Sequence, residues 1–178
     1  MNLLRIAYVL GAMLSLALLH TPALAEPHHT KLAGFQEVPV VVTGGSGQFE
    51  MKIAPGDGSF DFVLSYEGIE GGAVQQAHIH VGQRNVNGGI VVFLCTNLTP
   101  PAGVPTPPPC PASPGMVTGT RTAADVVAQT TQGVSAGEFS AMLTAVRKGR
   151  AYANVHSAAS PGGEIRGQIS RGHHDDDD

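Results

Sequence analysis

The chain has 178 residues, of which only 13% are charged, with ten Lys and Arg against fourteen Asp and Glu and a net charge of −4. That balance argues against nucleic acid as a partner, and the acids are unevenly spread, since the last four residues, Asp175 to Asp178, are all aspartate. A chain of this length supports one hydrophobic core, and glycine at 23 positions with proline at 13 points to many tight turns.

The chain begins with an export pattern: Arg5 in a short positive start, an apolar run from Ile6 to Leu19, and a small-residue cleavage site at Ala23 to Ala25. Residues 1–25 are expected to be a signal peptide, leaving residues 26–171 as one domain and 172–178 as a His/Asp-rich tail. The apolar run falls short of the roughly 20 residues a membrane span needs, and no later segment supplies one. The expected location is therefore secreted or periplasmic, with no membrane span once the signal is removed.

Short alternating runs follow. Leu32 to Val42, Gly47 to Ile53, Ser59 to Tyr66, Val74 to Val81 and Gly89 to Leu94 read as strands, separated by turns such as Pro55 to Gly58 and Asn87 to Gly89. Cys95 and Cys110 are the whole cysteine inventory. In an exported chain they read as one disulfide closing a proline-filled loop. The other use, a pair of metal ligands, lacks the close cysteine spacing of zinc sites. Within that loop Asn97-Leu98-Thr99 matches a glycosylation acceptor.

One helix is expected after residue 135. Ser135 and Glu138 form a capping box, Phe139, Met142, Leu143 and Val146 form an apolar stripe, and Lys148 with Gly149 closes it. Arg150 to His156 and Glu164 to Ile169 complete the set of strands. Seven or eight short strands with one short helix give an all-β fold, an antiparallel β-sandwich or Greek-key barrel.

Chemistry concentrates in three histidines. His78 and His80 flank Ile79 in one strand, so both side chains leave the same face, about 6.6 Å apart at a rise near 3.3 Å per residue. Two imidazoles make a weak site, and a third is wanted. Without the signal seven histidines remain: His28, His29, His173 and His174 at the ends, and His156 as the only other one expected inside the folded region. Asn154, Glu164 and Arg166 are candidate supporting residues, Asn154 to orient His156, and Arg166 either to draw in an anion or to pair with Glu164. Mature Glu26-Pro27-His28 cannot form an amino-terminal copper motif, because Pro27 has no backbone N–H.

The segments from Gly34 to Ile53, Gln76 to Leu94 and Gly149 to Ile169, together with the short helix before the last, resemble the CHRD domain, a module first described in chordin. The likeness spans about residues 30–170. It implies a secreted β-domain, and chordin itself is a secreted protein that binds growth factors. A more distant likeness is to copper/zinc superoxide dismutases, in which a His-x-His pair on a barrel strand and a late histidine after a Gly-Arg turn hold copper. His78, His80, Gly149-Arg150 and His156 follow that order. The zinc-binding loop of those enzymes has no counterpart, because residues 83–155 contain no histidine.

Two functions emerge. The first is a metal-binding β-domain using His78, His80 and His156, with copper favoured, zinc as second choice, and superoxide dismutase-like redox activity as the form an enzyme would take. The second is a non-catalytic module that recognises an extracellular or envelope protein, with structural histidines. A hydrolase is not supported, since no Gly-x-Ser-x-Gly or similar nucleophile pattern occurs.

Overall fold

A computed structural model describes residues 24–100 and 102–172. Most of the expected signal peptide and the His/Asp tail from His173 onward lie outside the described residues. Period-two alternation builds the sheet. In β2 (Ser46–Ile53) and β3 (Ser59–Glu67), Phe49, Met51 and Ile53 stand opposite Leu64, Phe62 and Phe60, and all six are buried on the inner face. The remaining strands are β1 (Glu26–Ala33), β4 (Val74–Val81), β5 (Gly89–Thr96), β6 (Gly115–Thr122), β7 (Ala151–Ser157), β8 (Ile165–Gln168) and the two-residue β9 (Ser170–Arg171).

All pairings are antiparallel, in the order β5-β4-β7-β8-β1-β2-β3-β6, with β9 also on β1. Eight strands thus curl into a nearly closed barrel. At the seam Arg121 of β6 donates from Nε to the Phe93 carbonyl and from Nη2 to the Leu94 carbonyl of β5, both at 2.9 Å. A side chain there satisfies strand carbonyls that no ladder partner reaches.

The one α-helix among the described residues, α1 (Phe139–Arg147), closes one end of the barrel. Its expected stripe is the buried face: Phe139, Met142, Leu143 and Val146 all pack inward, and the Phe139 ring stacks on Phe60 with centroids 6.0 Å apart. Each such side chain contributes roughly 1.5–3 kcal/mol by leaving water. The helix begins at Phe139, because Gly137 sits at φ 76° and breaks the helical path after Ser135. Of the expected capping box, the carboxylate half forms: Glu138 accepts the Ser135 N–H at 2.9 Å.

Three sequence expectations shift. The first strand occupies Glu26–Ala33 and not Leu32 to Val42; residues 34–36 form a 3₁₀ turn and the chain to residue 45 crosses the outside of the barrel. His28 is consequently not part of a loose end, since it lies inside β1 at 1% exposure with Nε2 3.0 Å from Glu26 Oε1. The strand β6 has no counterpart among the expected elements. The Cys95–Cys110 disulfide is present, with Cα atoms 5.0 Å apart. Beside it the Asn97 amide donates to the Val74 and Cys110 carbonyls and accepts from the Cys110 N–H, so the nitrogen that a glycan would need is engaged in the loop.

Candidate metal centre

On β4 and β7 both faces are buried, and that is what sets this side of the barrel apart. Ala77, Ile79, Ala151, Ala153 and Val155 fill the interior, while the alternate residues His78, His80, Tyr152, Asn154 and His156 leave the outer face. Three loops roof that face: residues 34–45, residues 82–88, and the turn after β7. They are tied to it and to each other. Asn87 Nδ2 donates to the Val38 carbonyl, and Arg166 donates to the carbonyls of Gln83 and Val86 and to Asn87 Oδ1. Glu164 accepts from the Thr43 hydroxyl and from the backbone N–H groups of Glu70 and Gly71.

Under this roof the three rings converge. His78, His80 and His156 are 1%, 6% and 7% exposed, and one potential ligand atom from each lies within 4.8 Å of the others. His78 Nδ1 stands 3.1 Å from His156 Nε2. His80 donates Nδ1–H to the Gly88 carbonyl and His156 donates Nδ1–H to the Pro161 carbonyl, each at 3.0 Å. Those two bonds fix the tautomers, leaving bare Nε2 lone pairs on His80 and His156. His80 Nε2 is buried with no hydrogen-bond partner, as is His78 Nε2.

Packing holds the rings from their sides. His78 meets Phe93 edge-on at 4.4 Å, and His80 stacks on Tyr152 at 4.6 Å, with the ring planes 5° apart. The Arg166 guanidinium lies 3.4 Å from the centre of the Tyr152 ring. Tyr152 also accepts the Gly88 N–H through its hydroxyl at 3.0 Å, so one loop residue is held by both Tyr152 and His80. Only glycine fits there, because a Cβ at residue 88 would overlap the Val81 carbonyl.

The site is electrostatically poised to keep its imidazoles neutral. Burial, reinforced by the facing rings of His156 and His80, pushes His78 down to about 2. Burial takes His80 down to about 4 against the pull of the Gly88 carbonyl, and lowers His156 against that of Pro161. Neutral imidazole is the form that ligates a metal.

The three supporting candidates, Asn154, Glu164 and Arg166, are all buried. His156 is oriented by the Pro161 carbonyl. Asn154 instead pairs across the strands with His78 and Arg166 and faces Glu37. Glu164 and Arg166 make no ion pair with each other; Glu164 clasps two loops while Arg166 holds a third. Tyr152 and Glu37 were not signalled by the sequence. Glu37 is 5% exposed, and burial pushes its carboxyl up to about 7 despite the nearby Arg166. A lone acid in a Gly-Phe-Gln-Glu-Val-Pro run has no spacing that marks it as buried.

Comparison with known proteins settles the kinship. Residues 29–169 match the family model of the CHRD domain. The chain belongs to the CHRD family. No curated protein and no solved structure matches it. The CHRD match runs from within β1 to just past β8, so β2 to β8 and all three clustered histidines fall inside it.

Proposed function

We propose that this CHRD domain is an exported metal-binding protein that holds one transition-metal ion between His78, His80 and His156, copper in first place and zinc in second. The observation that carries the reading is the convergence of three buried, neutral imidazoles with two tautomers locked by backbone carbonyls. Hydrogen bonds from the far ring nitrogen to a backbone carbonyl orient ligating histidines in metal sites generally. With metal–nitrogen bonds of about 2.0–2.1 Å, two ligand nitrogens on one ion stand roughly 2.9–3.6 Å apart. The 3.1 Å between His78 Nδ1 and His156 Nε2 fits that range once the proton His78 Nδ1 donates to His156 moves to His78 Nε2, and the widest separation, 4.8 Å, requires the rings to close by about 1 Å.

An all-imidazole set suits copper and zinc by ligand type, and copper binds such sites most strongly. Copper would supply one-electron redox chemistry, which zinc does not. The chain's own residues keep the rings neutral, aim their lone pairs and exclude water. Such shielding favours retaining an ion over rapid turnover of a substrate. Export is supported by the leader pattern and the disulfide. Because β1 starts at Glu26, a cut after Ala25 would leave the barrel whole.

The test is electron paramagnetic resonance of the chain loaded with one equivalent of Cu(II). Nitrogen couplings from three imidazoles are expected, falling to two in His156→Ala. Couplings that survive unchanged in that variant would overturn the assignment.

A second reading, a module docking on an extracellular or envelope protein, is favoured by one feature. Phe35, Val40, Val42 and Val86 are 69%, 55%, 82% and 41% exposed on the loops that roof the same face.

A further inference from the structure

We propose that Glu37 supplies negative charge to the metal-loaded centre: as a divalent ion enters between His78, His80 and His156, the Glu37 carboxyl gives up its proton to solvent. Resting on the three-histidine site proposed for this chain, the coupling balances as one divalent ion in and one proton out. The enclosed region then gains one positive charge instead of two.

Three neutral imidazoles bring no countercharge to an ion, and the same face already holds the Arg166 guanidinium at 2% exposure. Two carboxyls are buried under its roof, Glu164 at 1% and Glu37 at 5% exposure. Glu164 is already committed. It accepts from the Thr43 hydroxyl and the Glu70 N–H at 2.8 Å and from the Gly71 N–H at 3.0 Å. Those donors hold it as a carboxylate with or without an ion, so its charge does not change on loading.

Glu37 is placed differently. Asn154, the cross-strand neighbour of His78, faces its carboxyl, which puts Glu37 one side chain away from the cluster. Gly163 packs on both, since a Cβ at residue 163 would come within 2.6 Å of the Asn154 amide and of Glu37 Oε1. That oxygen is buried without a hydrogen-bond donor, and a carboxylate so placed is costly unless a positive charge or a proton offsets it. The groups that act on it are Arg166 of β8 and Tyr152 of β7, while Arg84 acts on Arg166. Burial raises the carboxyl and Arg166 offsets only part of the rise, so it titrates at about 7 and stands poised between its two forms at neutral pH. Two further positive charges in a region shielded from water tip it to the carboxylate. By linkage, protonated Glu37 in turn weakens the hold on the ion.

The experiment is calorimetric titration of Zn(II) into the full chain carrying His173→Ala and His174→Ala, in buffers of different ionisation enthalpy, which counts the protons released per ion. About half a proton is expected at pH 7, rising toward about one at pH 6, because the fraction of Glu37 that carries a proton rises in that way. In Glu37→Gln the release should fall to near zero at both pH values. A metal-bound water would give the opposite trend, with release growing as pH rises. Zinc that binds without releasing protons, or that releases as many in Glu37→Gln, would overturn the role of Glu37 and leave the histidine site standing. Absence of saturable zinc binding would overturn that site for zinc, and the role of Glu37 with it. Carbon-13 NMR of the Glu37 carboxyl in the otherwise unsubstituted chain needs no variant at residue 37. Its titration midpoint should lie near pH 7 without metal and fall by at least about one pH unit with zinc bound, and an unchanged midpoint would equally overturn the proposal.

Discussion

His80 shows how a single residue is prepared for its role. Tyr152 fixes its plane, Gly88 takes its Nδ1 proton, and its Nε2 lone pair has no protein partner. Loss of one of three ligands should be severe, so His80→Ala or His156→Ala is expected to reduce copper affinity at least about 100-fold, more than the 10–100-fold typical of outer-shell partners. Replacing His173 and His174 should leave the affinity unchanged. Competition titration against a chelator of known affinity reads both. The same residues govern pH dependence in the metal-free chain. His78 and His80 have folded pKa values below their unfolded ones, so unfolding takes up protons and stability is lost as pH falls below about 6.5. Glu37 opposes this, because its raised pKa makes the folded state bind the extra proton between about 4.5 and 7. Two histidines against one acid leave a net slope of about 1.4 kcal/mol per pH unit near pH 5.5, and the lowered His156 adds to it. In Glu37→Gln the opposing contribution is gone, and the slope should steepen by a similar amount. Urea unfolding across pH 4.5–7 measures it; a slope that flattens in the variant would contradict the placement of Glu37.

At the scale of elements, the loop from Gly82 to Gly88 matters as much as the strands that carry the three histidines. Gly88→Ala should push the loop off the Val81 carbonyl, unseat the acceptor of His80, and lower metal affinity about tenfold or more, while α1 and the barrel core keep their circular dichroism. A variant that binds metal normally would mean that His80 does not depend on that carbonyl. How far elements could be read from the residues depended on what fills the inner positions. Strands β2 and β3 were legible because apolar residues occupy their inner face in strict alternation, β4 because Ala77, Ile79 and Val81 alternate with its histidines, β5 because it is a continuous apolar run, and α1 because its stripe recurs at helical spacing. In β1 the inward residues are His28, Thr30 and Leu32, and two polar ones of three concealed the alternation. In β6 Val117 is followed on the inner side by Gly119 and Arg121, so the strand that carries the seam looked like loop. The His-x-His pair was legible because a strand must place both rings on one face. The arrival of His156 beside it depends on β4 and β7 being neighbours, which no local pattern encodes.

The whole molecule is a barrel whose inner face supplies stability and whose outer face, on one side only, is enclosed by loops. That division lets polar, titratable groups be buried without disturbing the core. The disulfide anchors the Pro-rich loop to β5 opposite Ala77, within the hydrophobic core and on the other face of the sheet from the histidines, so its contribution should be to stability alone. Reducing it is expected to cost roughly 3 kcal/mol for a loop of this length, with proline stiffening lowering the figure, and to leave copper affinity within about twofold. Denaturant unfolding with and without reductant, paired with a copper titration, separates the two effects. Bound metal should in turn raise the melting temperature in proportion to its occupancy of the native state. The central claim is most directly tested by native mass spectrometry of the chain carrying alanine at positions 173 and 174, after exposure to copper and zinc and removal of excess ion. One tightly held ion per chain, copper in preference to zinc and absent from the His78→Ala, His80→Ala double variant, is the predicted result. A chain that retains no ion, or one that retains it in the double variant, would contradict the three-histidine site.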